Sequence, residues 1–269
     1  MLSLHFNILV LNMKYNLKQQ TIAFIIIGIG LLSALNAQDI MRRPRRVEFS
    51  VMAGPTISWT STPSEAFHNK GICVGGVYGV NADINIVPTN ENYYFLVGIN
   101  ARHYFTKIQY TDKYDYYRNN KDTISNILSK YNDIYLSFPT AIKLKTNPFG
   151  SFTIFGVIGL EHGFCLSATS KDEVSPLKTE EEQIFKNVNR TQQTAVFKES
   201  LYVIFGFEFS IHDRTKATFG LAFDRGLNNL FKTTYKDNDG NRIDNNITIS
   251  GEPLKAYYNN FEFQFSFVF

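Results

Sequence analysis

Tyr257-Tyr258-Asn259-Asn260-Phe261-Glu262-Phe263-Gln264-Phe265-Ser266-Phe267-Val268-Phe269 closes the chain. Alternate residues place Tyr257, Asn259, Phe261, Phe263, Phe265, Phe267 and Phe269 on one face. Tyr258, Asn260, Glu262, Gln264, Ser266 and Val268 fall on the other. A period of two marks a β-strand, because successive side chains point to opposite sides. Five phenylalanines on one face are more apolar area than a sheet open to water could carry. That face therefore meets lipid or the core of a second sheet, and the remaining chain must choose.

Seven earlier stretches alternate in the same way. The first has Val47, Phe49, Val51 and Ala53 on its apolar face and runs on towards Trp59. The second, 72–86, sets Ile72, Val74, Tyr78, Val80, Ile84 and Ile86 against Cys73, Gly75, Asn81 and Asp83. Its glycines lack the following helix that a nucleotide-binding loop needs, so they read as small residues in a tightly curved wall. The others are 93–105, 134–144, 152–166, 197–209 and 217–223, which with the final strand makes eight.

The connections alternate as strictly as the strands. Residues 88–92, 146–151 and 212–216 are short and carry turn residues, whereas 60–71, 111–130, 169–195 and 232–255 are long. Short turns at one end and long loops at the other are what a membrane barrel predicts, with both termini on the periplasmic side. A soluble barrel with its greasy face inward shares the alternation within strands but explains neither the loop asymmetry nor the terminal Phe269. The expected fold is all-β, an eight-stranded antiparallel up-and-down transmembrane β-barrel spanning 47–269. Lipid offers no hydrogen-bond partners, so every strand edge must be paired. Eight strands enclose a narrow lumen filled by side chains. The register turns Asp83, Arg102, Lys143, Glu161, Glu208, Asp224 and Glu262 inward. Two bases among five acids predict a packed charge network rather than a wide conduit, with a narrow conducting pathway as the alternative.

Upstream, Met13 is followed by Lys14 and Lys18, an apolar run from Thr21 to Leu35, and Ala37 before Gln38. This reads as a secretory signal peptide over 1–37, with the true start at Met13. No Cys follows the run, which excludes a lipoprotein. Arg42-Arg43-Pro44-Arg45-Arg46 falls in a basic periplasmic lead at 38–46. Without Lys14 and Lys18 the chain holds 25 basic and 24 acidic residues, and even the full-length charge of +3 is too small for a nucleic-acid partner.

Catalytic and metal chemistry find little footing. His68, His103, His162 and His212 follow the leader; His103 and His162 lie on the apolar register near the outer rim, beside serines such as Ser167. A general base needs a nucleophile and an orienting acid within reach, and no His-x-Ser arrangement stands out. No His or Cys pair has zinc-ligand spacing, and no cofactor is called for. Cys73 and Cys165 lie on strands nearly across the barrel, too far apart for ready pairing. Arg225 falls on the lipid register near the outer rim, where it could bind lipopolysaccharide phosphate. A short surface helix is expected over 176–188.

Several segments carry a family likeness. Tyr131-Asn132-Asp133-Ile134-Tyr135-Leu136-Ser137-Phe138-Pro139, Phe155-Gly156-Val157-Ile158-Gly159-Leu160, Phe205-Gly206-Phe207-Glu208 and Asp224-Arg225-Gly226-Leu227-Asn228-Asn229 resemble motifs of the PorT-like outer-membrane β-barrel family. Ser137-Phe138-Pro139 stands where that family has Glu-Ile-Pro, and Asp224-Arg225-Gly226 lacks its Tyr. The closing strand with its terminal aromatic likewise resembles the signal by which outer-membrane barrels meet the barrel-assembly machinery, which implies that role for Phe265, Phe267 and Phe269. The resemblance implies a non-enzymatic protein of the bacterial outer membrane, in contact with outer-membrane lipid and lipopolysaccharide. It suggests an accessory role in protein secretion or envelope assembly, with secretion-system proteins as partners. A narrow passive pore and a purely structural envelope barrel are the alternatives.

Overall fold

The computed structural model describes residues 46–63, 67–113, 124–176, 183–212, 215–232, 234–236, 242–244 and 255–269. The segments expected to be a leader and, for the most part, a basic lead lie outside them. In chain order the strands are β1 (Val47–Ser61), β2 (Phe67–Asn69), β3 (Cys73–Asn85), β4 (Tyr93–Lys113), β5 (Ile124–Lys145) and β6 (Phe152–Pro176). There follow β7 (Gln183–Asn189), β8 (Phe197–His212), β9 (Thr215–Gly226), β10 (Thr234–Lys236), β11 (Arg242–Asp244) and β12 (Tyr257–Val268). Eight of these, β1, β3, β4, β5, β6, β8, β9 and β12, pair antiparallel in sequence order. The ring closes where β12 meets β1, from Ser50↔Val268 to Ser61↔Tyr257. The phenylalanine strand is thus the closing strand, with Phe261, Phe265 and Phe267 exposed on the outer wall and Glu262 and Gln264 buried inside.

Two prolines interrupt the ladders. Pairing between β1 and β12 runs to Ala53↔Phe265 and resumes at Thr56↔Glu262, skipping Gly54 and Pro55. Pairing between β4 and β5 skips Phe138 and Pro139 in the same way. Proline has no N–H to give. At the seam Gly54 lies so close to the Phe263 carbonyl that any Cβ would collide with it.

Two expectations about the long links fail. Half of 111–130 is wall: β4 continues to Lys113 and β5 begins at Ile124, paired without a break from Asn100↔Ser137 to Lys113↔Ile124. The alternation persists there but its sense inverts. Beyond Phe105 the outward residues are polar, Lys107 and Gln109, while the buried inward ones are apolar, Ile108 and Tyr110. A stretch wet outside and greasy inside reads as a polar link. In β6 the change of sense comes with a bulge, since Ile134 faces Ser167 and Tyr135 faces Cys165, leaving Leu166 as an extra residue. The helix expected over 176–188 is also corrected: its described part from 183 onward belongs to β7. Pairing of β8 with β6 stops at Phe164, and β7 takes the free edge of β6 from Thr169 to Val174.

The closing register can be locked covalently. With Cys73 and Cys165 changed to Ser, V51C/F267C joins directly opposed residues and should oxidise to a disulfide in folded protein. V51C/F265C, displaced by two residues, should stay largely reduced. Efficient bonding in the second pair and not the first, read on a non-reducing gel, would show a slipped seam.

Candidate functional site

The inward faces of the eight strands fill the cylinder in layers. At the short-turn end Lys143 pairs with Asp83 at 2.6 Å, and Lys145 bridges Glu48 at 2.7 Å and Glu208 at 3.0 Å. Lys216 binds the same two acids at 2.7 and 2.9 Å. The Lys145 ammonium also sits 4.4 Å from the Tyr94 ring centroid, which shields it from solvent on one side.

Above this lies an apolar layer of Leu96, Ala141, Phe155, Val157, Ile204 and Ala222, with Tyr202 at its upper margin. The Phe155 ring lies over the neighbouring strand because Gly206 leaves it room: a Cβ there would come within 2.5 Å of Phe155 Cζ.

The next layer is charged again. The fully buried Arg102 guanidinium holds Glu161 on one nitrogen and Glu262 on the other. Gln264 donates at 2.7 Å both to Glu262 and to the Tyr202 hydroxyl. Lys198 donates to Asp224 at 2.8 Å and to the Tyr104 hydroxyl at 2.6 Å. Tyr104 and Asn260 in turn donate to Asp224 at 2.9 and 3.1 Å. In an interior that water hardly reaches, such mutual pairing is the condition for keeping these groups ionised.

At the long-connection end the lumen turns aromatic. Tyr104, Tyr131, Tyr135 and Tyr258 pack with Ile108, Ile127, Leu230 and Phe231, and Tyr258 donates to the buried Asp133. Leu230 and Phe231 enter from the segment after β9, held by Ala195 N to Leu230 O at 2.7 Å and Leu230 N to Ala256 O at 2.8 Å. Arg190 braces the same end, donating to Asp172 at 2.5 Å and Gln193 at 2.8 Å.

All seven charges assigned inward from the sequence, Asp83, Arg102, Lys143, Glu161, Glu208, Asp224 and Glu262, lie buried in these layers. Four partners were missed: Glu48, Lys145, Lys198 and Lys216. Each stands at a strand end, one or two residues from where the apolar pattern stops. With them the two layers hold Arg102, Lys143, Lys145, Lys198 and Lys216 against Glu48, Asp83, Glu161, Glu208, Asp224 and Glu262, close to neutrality.

A polar cluster lies on the outer wall of β5, β6 and β8. His162 Nδ1 lies 2.8 Å from Glu199, and its Nε2 lies 3.0 Å from Thr140 Oγ1. Phe164 and Phe197 pack beside it, with Phe197 stacked on the imidazole. Hydroxyl, imidazole and carboxylate in line are the parts of an acyl-transfer relay, which also needs free donors for the oxyanion. Thr140 is paired on both sides, with Val97 and Leu160, so its own backbone belongs to the ladders. Both imidazole nitrogens are thus engaged within an apolar wall. Ser167 takes no part in it. His103 lies 3.5 Å from the Tyr78 hydroxyl, and His68 is exposed on β2. The His212 side chain lies outside the described residues.

Cys73 and Cys165 are free thiols on strands that are not neighbours. Arg225 is exposed on the outer face of β9. Phe269 extends the seam, its N–H donating to Phe49 O at 2.8 Å. Among the described residues no His, Cys, Asp or Glu group is arranged to hold a metal.

Arg102→Met should leave Glu161 and Glu262 facing one another without their guanidinium and cost about 3–5 kcal/mol. Adding Glu262→Gln should recover part of the loss. Urea unfolding in lipid vesicles checks both, and an Arg102→Met barrel as stable as the parent would remove the layer's structural role.

No curated protein matches the chain. Among solved structures, Ail of Yersinia pestis aligns at 12% identity over 84% of this chain and 100% of its own, with a TM-score of 0.31. Neisserial surface protein A aligns at 9% identity over 82% and 95%, with a TM-score of 0.34. The outer membrane protease OmpT from Escherichia coli aligns at 9% over 86% and 99%, with a TM-score of 0.28. At such scores these likenesses say nothing about activity. The sequence match is more informative: residues 36–232 fit the family described as outer membrane protein beta-barrel domain. This eight-stranded ring, greasy outside and ion-paired within, belongs to the outer membrane protein beta-barrel domain family and to the bacterial outer membrane.

Proposed function

We propose that the protein is a non-conducting, non-enzymatic barrel that serves protein secretion or envelope assembly through its long connections. The observation that carries this reading is the filled lumen. Two ion-paired layers enclose the apolar layer around Phe155, and Leu230 and Phe231 close the long-connection end. An ion crossing it would have to displace buried side chains that are already paired. The ladder pairing of Thr140 and His162 themselves, on both sides of each, favours the non-enzymatic reading.

The long-connection end faces outward and both termini are periplasmic. The secretion role rests on the PorT-like motifs, which fall on β5, β6 and β8 and at the end of β9. Phe265, Phe267 and Phe269 serve the assembly machinery, and the exposed Arg225 meets lipopolysaccharide phosphate.

Three measurements test this. In planar bilayers the purified barrel should give no steady conductance steps; regular steps would overturn the closed lumen. Cells lacking the protein should retain secreted cargo or show envelope defects, and wild-type export with an intact envelope would overturn the accessory role. With Cys73 and Cys165 replaced by Ser, a membrane-impermeant maleimide on whole cells should label Leu128→Cys and spare Asn147→Cys; the reverse pattern would invert the orientation.

A further inference from the structure

Strand register brings together residues far apart in sequence. Lys107 on β4 stands opposite Lys130 on β5, and Lys130 opposite Lys171 on β6. The row continues at both ends. Lys70, just after β2, donates its N–H to the Lys107 carbonyl. On β7 the exposed Lys186 lies at the irregularity opposite Lys171, beside Asn187 at φ 56°. Five lysines therefore occupy consecutive positions across five adjoining segments, about 20 Å from end to end.

The level of the row matters as much as its charge. Descending the outer wall, the next tiers are Phe105, Asn132 and Thr169, then His103, Ile134 and Ser167, and then Ala101, Leu136 and Phe164. The lysines stand about two tiers above the apolar wall, where long stems can lie along it while the ammonium groups reach the boundary with water. Like charges directly opposed on neighbouring strands repel. Among the described residues Glu173 alone relieves them, accepting from Lys130 at 2.6 Å and Lys171 at 2.8 Å. Lys70, Lys107 and Lys186 have no acidic partner among the described residues.

We infer that this row is a binding site for the clustered phosphates of a lipid headgroup, in the leaflet that surrounds the long-connection end. The apolar wall that begins about two tiers below the row seats the acyl chains of the same molecule, which a free anion would not use. Under the outward orientation proposed above, that leaflet is the lipopolysaccharide one. The binding itself does not depend on which way the barrel faces.

The test uses the folded full-length barrel in zwitterionic detergent, titrated with bis-phosphorylated lipid A, with lipid A stripped of phosphate, and with inorganic phosphate. Native mass spectrometry reads the bound fraction. K107Q/K130Q/K171Q should keep the heat-dependent gel shift of a closed barrel and bind phosphorylated lipid A at least about tenfold more weakly. Glu173→Gln, which removes the row's one counter-charge, should bind it more tightly. Dephosphorylated lipid A and inorganic phosphate should bind the parent weakly and respond little to either substitution. Unchanged affinity in the triple variant overturns the site, as does equal affinity for dephosphorylated lipid A; inorganic phosphate binding as tightly as the lipid overturns the headgroup assignment. The maleimide experiment can fail without touching these outcomes.

Discussion

Everything in this structure answers to the backbone hydrogen bonds across the seam between β1 and β12. An open sheet of eight strands would present two unpaired edges to hydrocarbon, where each unmet N–H or C=O costs several kcal/mol. Closure joins β1 to β12, so no part of the wall is complete until the whole has been made. The seam is also where the wall is tightest, with Gly54 against the Phe263 backbone and Pro55 withholding a donor. A larger residue at Gly54 would push apart the two strands that define the circumference.

Closing eight strands leaves a lumen too narrow for bulk water, and this determines what the interior can contain. Charged side chains there can be ionised only in one another's company. Below the aromatic end the structure separates them into two nearly neutral groups, one around Glu48 and Glu208 and one around Arg102, with Phe155 and its neighbours between. Each group shares several partners internally and none with the other. Substitutions within a group should couple strongly, and substitutions in different groups should add. The His162 cluster on the outer wall follows the same economy of self-pairing in a greasier setting.

Much of this can be read from the chain. Eight alternating stretches, the rhythm of short and long links and the inward register of Arg102, Glu161 and Glu262 follow from a period of two. What escapes is whatever depends on the sense of the alternation or on pairing between strands. Past Phe105 the greasy face turns inward, so Ile108, Tyr110 and Ile127 look like stray apolar residues in a polar link. Leu166 shifts the phase of β6 by one, which no single-strand reading detects. Lys107, Lys130 and Lys171 are scattered in sequence and meet only through register, as do Thr140, His162 and Glu199. The helix expected over 176–188 rested on local composition, whereas the outcome depended on a free edge of β6 that composition does not reveal.

The inverted stretch has a consequence for height. β5 runs for 22 residues, about 75 Å of extended chain and, at a tilt near 40°, about 55 Å of wall. Its lipid-facing residues end near Ile134, about halfway along. The other half stands clear of the hydrocarbon as a turret with a hydrated wall and its own tyrosine-lined interior. Whatever meets the long connections does so on a rigid platform about 25 Å above the acyl chains. The membrane surface sets the foot of this turret, and the long connections belong to a higher storey.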